Sequence, residues 1–297
     1  MSPVWSAAAE RPALARVARR LRRRPHPTER RRTFLDHDRQ VAFERDGYVV
    51  VDLLEHDRVR ALRAAYDQLD HQHQAVSPWV EGFETSLYDD RRTYRSTVLA
   101  DVEHVVGGPL DTVLDRHRIM FANYVVKLPH SAEVPPHADW TFLDEGRYSS
   151  ATVWCPLVDT SIELRNGPLG VAVGSHERID FLRVANIPSY DRCVEAVSDL
   201  PRSFPDLRAG QAIVMDNRVV HFSPPNETEQ TRVAVGCVVG PAEAPLHHYW
   251  VDDDGQLLRF VLDREFYLSY EIGRPQDTEG IVAVEVVPAD EATGAVG

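Results

Sequence analysis

The sequence predicts a mainly β chain, a sandwich or barrel preceded by helices. Three observations carry this. From residue 118 onward, short apolar and β-branched runs recur between Gly and Pro punctuation, at 118–128, 149–158, 168–173, 211–222, 231–240, 246–251 and 281–287. Helical periodicity is confined to the stretch before about residue 75. Strands and helices do not alternate, which argues against βαβ units and a parallel sheet. No repeat of 20–50 residues is present.

Taken in order, residues 13–24 read as a basic amphipathic helix, with Leu14, Val17, Ala18 and Leu21 at i, i+3, i+4 and i+7 among arginines. Pro25 and Pro27 stop it. It would serve as an arm for an anionic surface, or, more plainly, be a frayed tail. A helix is expected at 34–46 with Phe34, Val41 and Phe43 inward, closed by a left-handed cap at Gly47. Tyr48–Val51 is a short strand, and a second helix runs from about 55 to 75 on a stripe of Val59, Leu62, Tyr66 and Leu69. Residues 77–97, polar and aromatic, read as one long loop.

Composition excludes several classes. The longest apolar runs, such as Val233–Val239, fall well short of the roughly 20 residues of a membrane helix, so no membrane span is expected. No apolar signal region opens the chain. Cys155, Cys193 and Cys237 form neither a disulfide framework nor a CxxC pair, which points to a reducing, cytoplasmic setting. Residues 1–33 hold ten Arg against two Glu, about +8, so about −21 falls on residues 34–297. A body that acidic does not wrap nucleic acid. Lys127 is the sole lysine in the chain.

The chemistry concentrates at His137-Ala138-Asp139. On a strand, residues i and i+2 share a face, so His137 and Asp139 can offer one nitrogen and one oxygen to the same ion. His221, in a strand-like segment, is the candidate third ligand. Two His and one carboxylate leave three open positions, which suits non-haem Fe(II) and dioxygen. The bland alternative is a surface histidine in the turn after Pro135-Pro136. Arg232, eleven residues after His221, opens the apolar strand Val233–Val239, where a guanidinium can clamp a carboxylate. It shares its face with Ala234 and Gly236, which leave room for a bound acid. The alternative is a surface ion pair with Glu227 or Glu229.

These residues resemble the phytanoyl-CoA dioxygenase family of Fe(II)/2-oxoglutarate oxygenases. The resemblance covers roughly residues 34–245 and rests on Asp46-Gly47-Tyr48-Val49-Val50, Lys127-Leu128-Pro129 ahead of His137-Ala138-Asp139, and Trp154-Cys155-Pro156-Leu157-Val158-Asp159. It continues in Asn166-Gly167-Pro168-Leu169, Gly174-Ser175-His176, and His221-Phe222-Ser223 with Arg232. It implies a double-stranded β-helix (jelly roll, cupin-like) flanked by helices. It implies His137, Asp139 and His221 as ligands of Fe(II), with 2-oxoglutarate and O2 as cosubstrates. It implies Arg232 on the distal carboxylate of 2-oxoglutarate, Ser223 assisting, and Asn123 and Trp154 beside the cosubstrate. Halogenases related to the family replace the ligand carboxylate by a small residue. Asp139 is kept, which favours hydroxylation, or oxidative cyclisation or desaturation, of an aliphatic C–H.

Lys127 shares the face of Asn123 and is either inward or an exposed strand residue. His176 reads as a structural histidine, and His247-His248 cannot both serve one ion because neighbours on a strand face opposite ways. Competing functions are a metal-binding jelly roll that senses a ligand without turnover, and a zinc or nickel cupin acting as hydrolase or isomerase. The expected substrate is a small metabolite, polar or anionic, in natural-product biosynthesis. Arg91, Arg92, Arg95, Arg178 and Arg183 are candidate anion clamps around the mouth, and Trp79, Trp140, Phe142, Tyr190 and Trp250 candidate apolar walls. The expected organisation is a basic tail at 1–33, one dioxygenase domain at 34–287 and a flexible end at 288–297. Oligomeric state is not readable.

Overall fold

The structure, a computed structural model, describes residues 31–71, 77, 80–179, 182–187 and 189–288. The expected basic helix at 13–24, the stretch beyond residue 288 and Trp79 lie outside them.

Helix α1 (His37–Asp46) begins where the Asp36 carboxylate accepts the Arg39 N–H at 2.8 Å, a cap that contributes about 1 kcal/mol. It ends as expected at Gly47, φ 83°, whose N–H reaches Phe43 O. A Cβ there would also collide with His176 and Val219. The helix starts three residues later than expected; Phe34 precedes it and packs edge to face on Phe43, the helix's buried residue, while Val41 is 45% exposed and faces outward. After β1 (Tyr48–Asp52), helix α2 (His56–Gln68) is shorter than expected and buries Val59, Leu62 and Tyr66.

The segment 77–97 is not a single loop. It contains β2 (Phe83–Thr85) and the start of a 20-residue helix, α3 (Arg92–Asp111). That helix buries Tyr94, Val98, Val102, Val105 and Val106 at helical spacing. Gly107-Gly108-Pro109 ends the pattern early in the sequence and hides it, yet Pro109 falls in the last turn.

The strands that follow are β3 (His117–Lys127), β4 (Val134–His137), β5 (Ala151–Pro156), β6 (Gly170–Ala172), β7 (Arg202–Ser203), β8 (Gln211–Asp216) and β9 (His221–Ser223). A short helix, α4 (Tyr190–Ala196), precedes β7, and β10 (Arg232–Pro241), β11 (Leu246–Val251), β12 (Leu257–Leu262) and β13 (Ile281–Val286) complete the chain. The run 211–222 is two strands, split at a turn where Arg218 Nε donates to Asp216 Oδ1 at 2.9 Å. β4 reads Val-Pro-Pro-His, and its prolines hide it in the sequence. They are tolerated because β4 is an edge strand.

The pairings are antiparallel: six strands in the order β1-β8-β5-β10-β3-β2, four in the order β4-β9-β6-β7, and three in the order β11-β12-β13. The six-stranded sheet alternates, apart from a register shift between β10 and β3 at Val238/Val239. Val233, Val235, Cys237 and Val239 of β10, with Tyr124 and Val126 of β3, form one core with α1, α2 and α3. On its other face Trp154, Ile213, Met215 and Ala234 pack with Leu169, Val171 and Val219 from the four-stranded side. The two facing sheets make the jelly roll that the resemblance implied, with helices covering one side. No helix among the described residues is long and apolar enough to cross a membrane.

Candidate metal centre and cosubstrate pocket

The three expected ligands come together. His137 on β4 stands directly opposite His221 on β9, ring centroids 4.2 Å apart. Asp139 lies two residues past the end of β4, and its Oδ1 is 3.9 Å from His221 Nε2. One donor atom from each of His137, Asp139 and His221 falls within a 4.8 Å set.

The tautomers follow from the backbone. His137 Nδ1 is 2.8 Å from Pro135 O, and His221 Nδ1 is 3.1 Å from Val219 O. A carbonyl can only accept, so each Nδ1 carries a hydrogen, and Nε2 is the ring atom left to meet a metal. Burial, aided by the nearby His221, pushes His137 down to about 4, so it is neutral at pH 7. Two imidazoles oriented in this way and a carboxylate fit a divalent iron.

A second cluster lies on the inward face of the large sheet. Arg232 pairs with Lys127 across β10 and β3, and Gly236 sits between Asn123 on β3 and Trp154 on β5. Arg232 is 2% exposed, so it is not the surface ion pair of the alternative reading. Its guanidinium lies 5.2 Å from the Trp154 ring centre; among the described residues it donates only to Val125 O, at 3.3 Å, and its buried Nε has no partner. Burial alone pulls it down to about 9. A buried guanidinium without a counter-ion fits an anionic ligand.

Lys127 is fully buried, which settles its orientation inward. Nζ donates to Ala132 O at 2.9 Å and to Pro224 O. Burial and the neighbouring Arg232 pull it down to about 7. It is therefore tied to backbone, beside Gly167, whose Cβ would strike its side chain. Ser223 is buried and donates to Gly167 O at 3.0 Å, and Asn123 donates to Thr85 Oγ1 at 2.7 Å.

The other candidates fall elsewhere. His176 reaches Glu44 O at 3.0 Å, as a structural histidine. His247 and His248 are both buried, and neither belongs to the metal cluster. All five candidate anion clamps are engaged by protein partners: Arg91 with Asp89 and Asp70, Arg92 with Glu265 and Glu279, and Arg178 with Asp199. Arg95 serves the carbonyls of Asp89, Tyr267 and Tyr270, and Arg183 pairs with Glu145. Of the apolar walls, Trp140 packs at right angles to His248 and Tyr270, Phe142 is buried among Phe121 and Tyr267, Trp250 is partly buried in the same cluster, and Tyr190 is 42% exposed.

Thr152 and Thr141 were not singled out in the sequence, and Arg183 was expected only as an anion clamp at the mouth. Thr152 donates to Asp139 Oδ2 at 2.6 Å. Arg183 Nε donates to Asp139 O, and Thr141 N–H reaches Arg183 O at 3.1 Å. Burial, with the nearby Tyr270 and Asp139, raises the Tyr88 hydroxyl above its ordinary range. Only Thr152 had a usable signal: it precedes Trp154 by two on β5 and so shares its face.

The family model described as Phytanoyl-CoA dioxygenase matches residues 43–234. No curated protein matches the sequence significantly. Among solved structures, the carbocyclase SnoK from nogalamycin biosynthesis is similar at TM-score 0.53 and 21% identity, over 71% of this chain and 86% of that one. EctD from S. alaskensis with 2-oxoglutarate and 5-hydroxyectoine is similar at TM-score 0.53 and 22% identity, over 76% and 84%. HygX from Streptomyces hygroscopicus with nickel and 2-oxoglutarate bound follows at 0.51 and 16%, over 70% and 88%. At these identities the likeness is one of fold.

Proposed function

The chain belongs to the phytanoyl-CoA dioxygenase family of iron(II)/2-oxoglutarate-dependent enzymes, and from that premise we propose that it hydroxylates an aliphatic C–H of a small metabolite. The observation that carries the cosubstrate assignment is Arg232: a buried guanidinium, partnerless at Nε, on a face where Ala234 and Gly236 leave space. His137, Asp139 and His221 hold the metal through Nε2, Oδ1 and Nε2. Arg232 binds the distal carboxylate of 2-oxoglutarate. Asn123 and Trp154 flank it, and Lys127 fixes the carbonyls of residues 132 and 224 that border the pocket.

Iron(II) bound there supplies, with 2-oxoglutarate and dioxygen, the oxidising power to break an unactivated C–H bond. The net reaction converts R–H, 2-oxoglutarate and O2 to R–OH, succinate and CO2. The chain's own part is to orient the cosubstrate, exclude water and aim the substrate. The five engaged arginines leave aromatic groups as the wall of the mouth, among them Trp140, which follows Asp139 in the chain and packs against His248 and Tyr270. That supports a substrate held by ring and apolar contacts more than by an arginine clamp. The likeness to an enzyme of nogalamycin biosynthesis agrees with a role in natural-product tailoring.

The test is anaerobic titration of the Fe(II)-loaded protein with 2-oxoglutarate, then admission of air with a panel of ring-bearing metabolites. The expected outcome is saturable binding and succinate release that rises with the right substrate. Folded, iron-loaded protein that binds no 2-oxoglutarate overturns the reading.

A further inference from the structure

Asp139 presents its two carboxylate oxygens to different partners. Oδ1 faces His221 Nε2 at 3.9 Å, while Oδ2 receives the Thr152 hydroxyl at 2.6 Å. That length is typical of a hydroxyl bonded to an ionised carboxylate. Thr152 Oγ1 is also 3.0 Å from Asn217 Oδ1. A hydroxyl has one hydrogen, so it cannot donate to both acceptors. Asn217 Nδ2 is meanwhile buried without a partner among the described residues, in a residue 1% exposed. Turning the amide over resolves the conflict at Thr152 and leaves the position without a partner to Oδ1, an acceptor, in place of a donor. Nδ2 then donates to Thr152 Oγ1, and the Thr152 hydrogen is committed to Asp139 Oδ2.

The fold builds this chain from three separate elements. Thr152 comes from β5, Asn217 from the turn between β8 and β9, and Asp139 from just beyond β4. The Asn217 N–H is tied to Ser150 O at 3.2 Å, which keeps the amide beside β5. Both donors are thereby fixed before any metal arrives.

We propose that Thr152, oriented by Asn217, is a positioning residue that reserves Oδ2 of Asp139, so that the carboxylate meets a metal through Oδ1 alone. This rests on the metal reading of the site. A carboxylate free at both oxygens readily chelates a divalent ion. Chelation by Asp139 would take a coordination position that the cosubstrate and dioxygen need. The hydroxyl removes that option and fixes the ligand's angle.

The test compares Thr152→Val, which keeps the shape and loses the hydroxyl, with Thr152→Ser, which keeps the hydroxyl. Two readouts are used: the dissociation constant for Co(II), and the visible charge-transfer band given by 2-oxoglutarate on Fe(II) without oxygen. Removing such a ligand-orienting bond is expected to weaken Co(II) binding by roughly 10-fold or more in Thr152→Val and to shift the band, with Thr152→Ser within about threefold of wild type. Thr152→Ala, smaller and equally without a hydroxyl, gives the same comparison if the valine does not fold. Wild-type values in the hydroxyl-less protein overturn the proposal, as does equal loss in the serine variant, which would assign Thr152 to packing. Wild-type protein that takes up no metal defeats the metal reading and the proposal together. Normal wild-type uptake with an unaltered Thr152→Val defeats the proposal alone.

Discussion

Arg232 lies with its guanidinium 5.2 Å from the centre of the Trp154 ring, and among the described residues no carboxylate answers its charge. The apoprotein therefore carries an uncompensated buried cation whose natural complement is a ligand anion. Arg232→Met should separate the two sides of that arrangement. Losing a charged hydrogen bond of ~1.5–3 kcal/mol should weaken 2-oxoglutarate binding by roughly 10–150-fold. Removing the unpaired charge should leave the apoprotein as stable as wild type or more so, by about 1–3 kcal/mol. Titration with 2-oxoglutarate and thermal melting without ligands read the two effects. Unchanged affinity would remove Arg232 from the pocket.

Gly236 gives a second handle on the same pocket. It sits mid-strand, where glycine weakens a sheet, so its presence asks for a reason. A Cβ there would come within 3.0 Å of Asn123 Oδ1 and 3.2 Å of Val125 Cγ2. Gly236→Val should fold, because valine suits strands, and should bind metal normally. It should lose 2-oxoglutarate binding, because its methyls fill the space between Asn123 and Trp154. Metal binding and cosubstrate binding measured on one sample check this. Retention of both would show that the cosubstrate lies elsewhere.

How much of this was legible in the sequence depended on whether the information was local. His137, Asp139 and His221 were legible because motif spacing fixes which residues share a face, and Arg232 because a charge opening an apolar strand has few uses. Helix α3 was not, because Gly107-Gly108-Pro109 breaks its pattern at the end, and β4 was not, because an edge strand tolerates its two prolines. The arginines of the mouth look alike in sequence. Only the fold shows that Arg95 serves carbonyls 172 and 175 residues away. Asn217 and Thr152 are 65 residues apart, so their contact is likewise invisible to local pattern.

The Arg183–Glu145 pair tests how the ligand loop is held. Arg183 is 1% exposed, pairs with Glu145 and donates to the backbone of Asp139. Breaking a buried pair from one side leaves the other charge stranded, at a cost of about 3–5 kcal/mol. Arg183→Met should therefore lower stability by that amount and weaken metal binding, because the Asp139 carbonyl loses its anchor. The double variant Arg183→Met/Glu145→Leu should recover much of the stability and little of the metal affinity. Urea melts and metal titrations of the single and double variants distinguish the two losses. Recovery of metal affinity in the double variant would show that charge balance, and not the bond to Asp139, is what matters.

Lys127 supplies a prediction in pH. Burial and Arg232 pull it down to about 7, whereas an unfolded lysine titrates near ~10.4. Between those values the unfolded chain binds the proton more tightly, so unfolding takes up protons and stability rises with pH. The contribution is fully present above the unfolded value and is lost as pH falls toward about 7, with no further change below it. Other groups titrate in the same window: burial pushes Cys155 up to about 12 and Cys237 higher still, and these act in the opposite direction. The comparison must therefore be with Lys127→Met, which shares them. The stability of wild type minus that of Lys127→Met, from urea melts at pH 6, 7, 8 and 9, should be flat below about pH 6.5 and then climb, by at most ~1.4 kcal/mol per pH unit. A flat difference across the series would mean that the carbonyls of Ala132 and Pro224 hold the ammonium charged throughout, and that Lys127 faces the pocket as a permanent second cation beside Arg232.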